Sequence, residues 1–261
     1  MSIHAWRGGI LVKGLLGPMS RLAAMDVVSI SAYLAQKGSL RASINLGNPV
    51  FAQGAARHPT GVAVDIAREL ASRLTVPLEL ICFDAARKSF EAMASGQADI
   101  CFLAIDPARS AEVAFTAPYV VIEGVYVVPE KSRISSLADV DQRGVRIGVK
   151  EGSAYDLFLS RSLVRAEVVR DEEGTEVFEN LGLEVGAGIR EPVSEFVASH
   201  SGYRLLDERF MEIQQALGTS KSRRPETVAF LREFIEDLKG SGFIAQSLLR
   251  SNQSATVAAL A

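Results

Sequence analysis

Residues 94–119 read Ala94-Ser-Gly-Gln-Ala-Asp99-Ile-Cys-Phe-Leu-Ala-Ile-Asp106-Pro-Ala-Arg109-Ser-Ala-Glu-Val-Ala-Phe-Thr-Ala-Pro-Tyr119, and the fold is decided here. A polar turn at Gly96 leads through Asp99 into an unbroken apolar run, residues 100–105, which is short enough for a strand and apolar enough to be buried on both faces. The run stops at Asp106-Pro107, where Asp can cap and Pro fits the first helical position, and Arg109 follows within a turn. A strand that delivers a cation to its carboxyl end is the way open α/β sheets build small-molecule sites, so Arg109 is a candidate anion clamp.

Working outward, residues 40–46 read as a first strand, closed by the turn Gly47-Asn48-Pro49. A helix opens at Gly61, with Ala63, Ile66, Ala67, Leu70, Ala71 and Leu74 at helical spacing, and a strand over 77–83 and a helix over 85–94 follow. Alternation of this kind implies βαβ units and a parallel sheet. Beyond Pro118 lies a long strand-like run, 119–128, broken by Glu123-Gly124. The βα pattern then restarts, with a strand over 145–149, Ser153 as the cap of a helix over 154–163, and further segments over 166–170, 175–180, 183–189 and 192–198. Pro225 starts an amphipathic helix that Gly240 and Gly242 stop, and a short helix over 243–249 follows.

The chain has 261 residues, 48% of them hydrophobic, enough for one large core or two modest ones. A formal charge of −3 without long basic runs argues against nucleic acid as a partner. Cys82 and Cys101 sit in apolar runs without CxxC spacing, which suggests two free thiols and no zinc site. There is no HExxH, GxSxG or Walker-type loop, so no cofactor or metal is expected. The first residues carry Arg7 and Lys13 around short apolar pieces. They read as a poor secretory signal split by Lys13, as a disordered extension, or as a stretch upstream of a true start at Met25.

In this order and spacing, Leu40-Arg-Ala-Ser-Ile-Asn45, Pro59-Thr-Gly-Val-Ala-Val-Asp-Ile-Ala-Arg-Glu-Leu70, Gly96-Gln-Ala-Asp99, Asp106-Pro-Ala-Arg109, Phe115-Thr-Ala-Pro-Tyr119 and Gly148-Val-Lys-Glu-Gly-Ser153 resemble bacterial solute-binding protein family 3. That family comprises amino-acid-type receptors of ABC importers. The resemblance implies an α/β chain of two Rossmann-like lobes with a hinge and interlobe cleft, the type 2 periplasmic-binding-protein fold, closing around its ligand. The implied division is residues 1–38 as an N-terminal extension, 39–122 plus 219–250 as lobe 1, 123–218 as lobe 2, and 251–261 as a loose tail. The crossings would be 119–126 and 217–220. A monomer that works with an ABC transporter permease is expected, located in the periplasm, or in the cytoplasm if the N-terminus is no signal.

By the same resemblance, Arg109 matches the arginine that clamps a ligand carboxylate, where a planar fork suits the task; the bland alternative is an ion pair with Glu112 or Asp106. Ser153 and Ala154 match the turn that meets the carboxylate from the other lobe at a helix N-terminus. Asn48 and Phe51 fall in the loop that often brings an aromatic to the ligand, though a turn residue and a core Phe fit equally well. Leu103 and Ala104 end the central strand, and Ala104 stands where the family commonly has Ser or Thr. Ile189 stands where an aspartate usually meets the ligand ammonium, and Arg190 follows it. If Arg190 enters the cleft, two arginines favour an acidic ligand; otherwise it is solvated or paired with Glu191 or Glu184. The expectation is a small carboxylate-bearing ligand, amino-acid-like or organic acid. The competing readings are a cyclohexadienyl-type dehydratase on the same fold, with Lys150 or Glu151 as acid–base candidates and His58 and His200 as isolated loop residues, and a signal-less ligand sensor.

Overall fold

The computed structural model describes residues 27–261. The readings made on residues 1–26 lie outside these described residues.

The chain builds one twisted ten-stranded sheet in two halves, flanked by helices. The first half is parallel at its outer edge. There β1 (Leu40–Asn45) lies between β2 (Leu78–Phe83) and β3 (Ile100–Ala104), with α2 (Val62–Leu74) and α3 (Ala86–Ala94) as the crossovers. In the second half β5 (Arg146–Lys150) lies parallel between β6 (Glu167–Asp171) and β7 (Val185–Ile189), with α4 (Ala154–Ser162) and α5 (Gly174–Asn180) between the strands. Every residue of β3 is buried, as its unbroken apolar run requires of a strand covered on both faces.

Two long antiparallel strands join the halves. The first, β4 (Val113–Pro129), begins six residues before the expected run and pairs with β7 from Gly124 onward. The second, β9 (Met211–Ser220), pairs through Met211–Ile213 with Gly124–Ile122 of β4 and through 215–219 with β3. Residues 215–219 already pair with β3, so the second link between the halves lies ahead of them, at 211–214, rather than at the expected 217–220.

The helix α7 (Pro225–Gly240) packs on β4, and α8 (Phe243–Arg250) packs on α7 and α2, which returns the chain to the first half. Three elements have no counterpart in the sequence reading. One is α1 (Val27–Leu34), which buries Ile30 and Leu34 against α7 and α2 inside the expected extension. Another is the short β8 (Tyr203–Leu205), which pairs with Val127–Pro129 of β4 below α6 (Arg190–Ser199). The third corrects the expectation of a loose tail. Residues Thr256 and Val257 form β10, antiparallel to Val121 and Val120, and the Ala258 amide donates to the Tyr119 carbonyl at 3.0 Å. The edge of β4 ahead of β7 is otherwise open, and β10 satisfies its backbone groups.

The Gly96-Gln-Ala-Asp99 turn holds these parts in register. Asp99 is 1% exposed and accepts from the Arg41 guanidinium at 2.8 and 2.9 Å, from the Arg41 amide at 3.0 Å and from Arg223 at 2.8 Å. One carboxylate thus fastens β1, β3 and the β9–α7 junction. Both cysteines are free, Cys101 fully buried and Cys82 half-buried.

Candidate functional site

The carboxyl ends of β1, β3, β5 and β7 open toward one cleft between the halves, which holds a cavity of about 50 Å³. Beyond β1, the turn at Gly47 lies so close to Asp84 that an added Cβ would sit 1.9 Å from its carbonyl oxygen. This turn places Asn45, Gly47 and Asn48 on the wall, and Asn48 also holds the turn by accepting from the Val50 amide at 3.2 Å. Leu103 and Ala104 supply an apolar stretch from β3.

Arg109 follows on a single 3-10 turn (Arg109–Ala111) and is 3% exposed. The expected alternative of an ion pair with Glu112 or Asp106 does not form. Among the described residues no carboxylate lies within ion-pair distance of Arg109. Asp106 accepts from the Ala108 amide at 2.8 Å and pairs with Arg161 of α4 at 2.7 Å. The Arg109 guanidinium donates to two carbonyls, Ala104 at 3.2 Å within its own half and Gly152 at 2.9 Å across the cleft. Its other N–H donors have no partner among the described residues. Burial is the main cause that lowers its pKa, to about 10, opposed by the nearby Asp106 charge. It therefore stays a cation throughout the working pH range, with no ion-pair partner among the described residues.

Across the cleft, the turn Glu151-Gly152-Ser153 leads into α4. Ser153 caps the helix by accepting from the Asp156 amide at 3.0 Å, and Asp156 reaches back to the Gly152 amide at 2.8 Å. Ser153, Ala154 and Tyr155 all line the cavity, so the first turn of α4, with its free N–H groups and positive dipole end, faces Arg109. Gly152 has φ +67°, and a Cβ there would lie 2.8 Å from the Cβ of Arg87 on α3, so the two halves meet closely at this turn. Around it run Arg87 to Glu151 at 3.6 Å, Arg87 to Glu172 at 3.6 Å and Lys88 to Glu172 at 3.9 Å. Together with Asp106 to Arg161, these pairs span the cleft mouth in a closed arrangement.

Six of the eight residues singled out from the sequence, Asn48, Leu103, Ala104, Arg109, Ser153 and Ala154, are brought together around this cavity. Two are not. Phe51 is a core residue, 2% exposed, its ring edge-on to Tyr119 at 6.0 Å. Arg190 lies on another surface, paired with Glu123 at 2.5 Å. The pairing Ile189 to Gly124 in the sheet sets Arg190 beside Glu123, so neither Glu191 nor Glu184 is its partner. Glu184 binds Arg146 instead. Ile189 lines the cavity itself, and so do Ile213 and Gln215 of β9. Gln215, only 4% exposed, escaped the sequence reading. Its signal lies in the alternation Met211-Glu-Ile-Gln, which marks a strand running into it.

Of the enzymatic candidates, Lys150 and Glu151 line the cavity and are each held in an ion pair, while the two histidines lie outside it. Lys150 binds Glu173 at 2.6 Å, Glu151 pairs with Arg87, His58 is exposed and His200 stacks on Phe196. Among the described residues no group of acidic, His or Cys side chains has the geometry of a metal site, and no helix is long and apolar enough to cross a membrane.

The family model described as bacterial extracellular solute-binding proteins, family 3, matches residues 41–250. Among solved structures, a mutant of ArgBP from T. maritima superposes with TM-score 0.71 at 19% identity, covering 85% of this chain and 99% of that one. An amino acid ABC transporter substrate-binding protein from Streptococcus pneumoniae, bound to L-arginine, gives 0.70 at 16% identity, covering 88% and 99%. The ancestral amino acid-binding protein AncCDT-1, a precursor of cyclohexadienyl dehydratase, gives 0.69 at 19% identity, covering 84% and 97%. No curated protein matches the chain in sequence.

Proposed function

The chain belongs to the bacterial extracellular solute-binding proteins, family 3, and from that premise we propose that it captures a small carboxylate-bearing solute between its lobes and hands it to an ABC importer permease without transforming it. The observation that carries this reading is Arg109. A guanidinium buried to 3% exposure with no carboxylate partner is costly to keep, and it lies opposite the N-terminus of α4. A ligand carboxylate completes the pair. It accepts a two-pronged bond from Arg109 and bonds from the α4 amides, and so ties the two lobes together.

The ion pairs across the mouth support closure on the bound solute, with bending in β4 near Gly124 and in the 211–214 segment of β9. Turnover has little support, because the acid and base candidates are already held in ion pairs. We place the receptor in the periplasm as a monomer. The test is a calorimetric and thermal-shift screen of amino acids, dicarboxylates and aromatic acids against the purified protein, with recovery of the ligand unchanged. Binding of one acid with compaction in small-angle scattering is the expected result. Release of a chemically altered product, or failure of every carboxylate to bind, would overturn the reading.

A further inference from the structure

The cavity's charges decide what kind of carboxylate fits. One cation, Arg109, has no ion-pair partner among the described residues. The other lining cation, Lys150, is neutralised by Glu173 at 2.6 Å. The only carboxylate on the wall among the described residues is Glu151, which is half exposed at the mouth and paired with Arg87. The lining therefore carries one net positive charge, reinforced by the α4 dipole, and offers no free acid.

The neutral acceptors are few. Asn45 and Asn48 spend their side-chain oxygens on the amides of Gly47 and Val50. The Ser153 hydroxyl accepts from the Asp156 amide, and the Tyr155 hydroxyl is turned to Ser153 and the Lys150 backbone. Gln215 brings one buried carboxamide, which lies beside the Tyr119 hydroxyl, and Leu103, Ala104, Ile189 and Ile213 belong to the apolar remainder.

An ammonium in such a cavity would lose its water and meet no counter-charge, which is far more unfavourable than placing a hydroxyl or keto oxygen there. We infer that the ligand is a small aliphatic monocarboxylate lacking an amino group, with a neutral oxygen substituent that the Gln215 carboxamide can meet. This rests on the carboxylate reading of the Arg109 site and narrows it. The cavity of about 50 Å³ favours a short carbon chain.

The experiment compares matched sets that differ in one substituent: L-alanine, L-lactate and pyruvate, and L-valine with its 2-hydroxy and 2-oxo counterparts. Titration calorimetry is run on the wild-type chain, Arg109→Met and Ile189→Asp. The expected result is that the hydroxy or oxo acid binds at least tenfold more tightly than its amino twin. Binding is lost in Arg109→Met, and Ile189→Asp moves preference toward the amino twin. An amino acid that binds equally well or better, and does so through Arg109, overturns the inference while leaving the site reading intact. Loss of that binding in Glu151→Gln would then identify Glu151 as the ammonium's partner. If no acid binds, or if binding is indifferent to Arg109→Met, the site reading fails and the inference falls with it. Should Ile189→Asp not fold, the wild-type comparison alone still decides.

Discussion

Replacing Arg109 by Met keeps most of the side-chain volume and removes the charge, and the structure sets the size of the effect. The guanidinium titrates at about 10 in the folded chain against an ordinary 12.5. A lowered pKa for a base means that folding is opposed while the group is protonated. The penalty is fully present below pH 10 and disappears only as pH rises through 12.5, so no working pH reveals it and substitution must. The shift corresponds to roughly 3 kcal/mol. Against it stand two hydrogen bonds, to the carbonyls of Ala104 and Gly152, worth about 1 kcal/mol each. The two effects are of similar size and opposite sign, so the ligand-free Arg109→Met protein is expected to be no less stable than the wild type, with a Tm that is unchanged or raised. At one hundred times its Kd the ligand should stabilise the wild type by about 2.7 kcal/mol and the variant not at all. Differential scanning calorimetry with and without ligand measures both. A variant less stable than wild type that still shows the full ligand shift would refute the clamp and make Arg109 a structural cation.

Three further outcomes follow from the same geometry. Arg161→Leu removes the partner that holds Asp106 across the cleft, and should weaken ligand binding by about tenfold, roughly 1.4 kcal/mol, mostly through faster release seen in stopped flow; an unchanged release rate would show that the pair does not stabilise closure. Gly152→Ala sets a Cβ against Arg87 at a positive φ, and should cost about 1–3 kcal/mol in closure. Scattering should then show a persistently open form, and normal compaction with ligand would count against the close approach. Asp99→Asn leaves Arg41 and Arg223 without their buried carboxylate, and should destabilise folding by about 3–5 kcal/mol in urea melts, with a loss under 1 kcal/mol arguing against its fastening role.

Much of this was legible in the sequence because local signals agreed with one another. The apolar run of β3, the helical spacing on α2 and α7 and the capping Ser153 all match their elements, and the run-plus-turn at Arg109 leads to the wall of the candidate cavity. The reading failed where the site itself breaks the pattern. β9 places Gln215 at a buried position that a plain strand would fill with an apolar residue, so the alternation that begins at Met211 breaks there and none of the second link is among the expected elements. The sequence leaves Arg190 open between cleft and surface because its direction depends on which residue of β4 faces Ile189, a register that no local pattern carries. Phe51 illustrates the opposite limit: an aromatic in a ligand-facing loop and an aromatic beneath it look identical until Tyr119 is placed against the ring. The tail gave only two β-branched residues, Thr256 and Val257, too few to signal a strand.

That tail makes the chain a convenient biosensor scaffold. Because β10 lies along Val120 and Val121, just ahead of Gly124 on the strand that joins the halves, the carboxyl terminus is wired to the part expected to bend rather than to the cavity. An environment-sensitive dye at the exposed Ala259 would sit outside the ligand's path and still report solute capture as an optical signal.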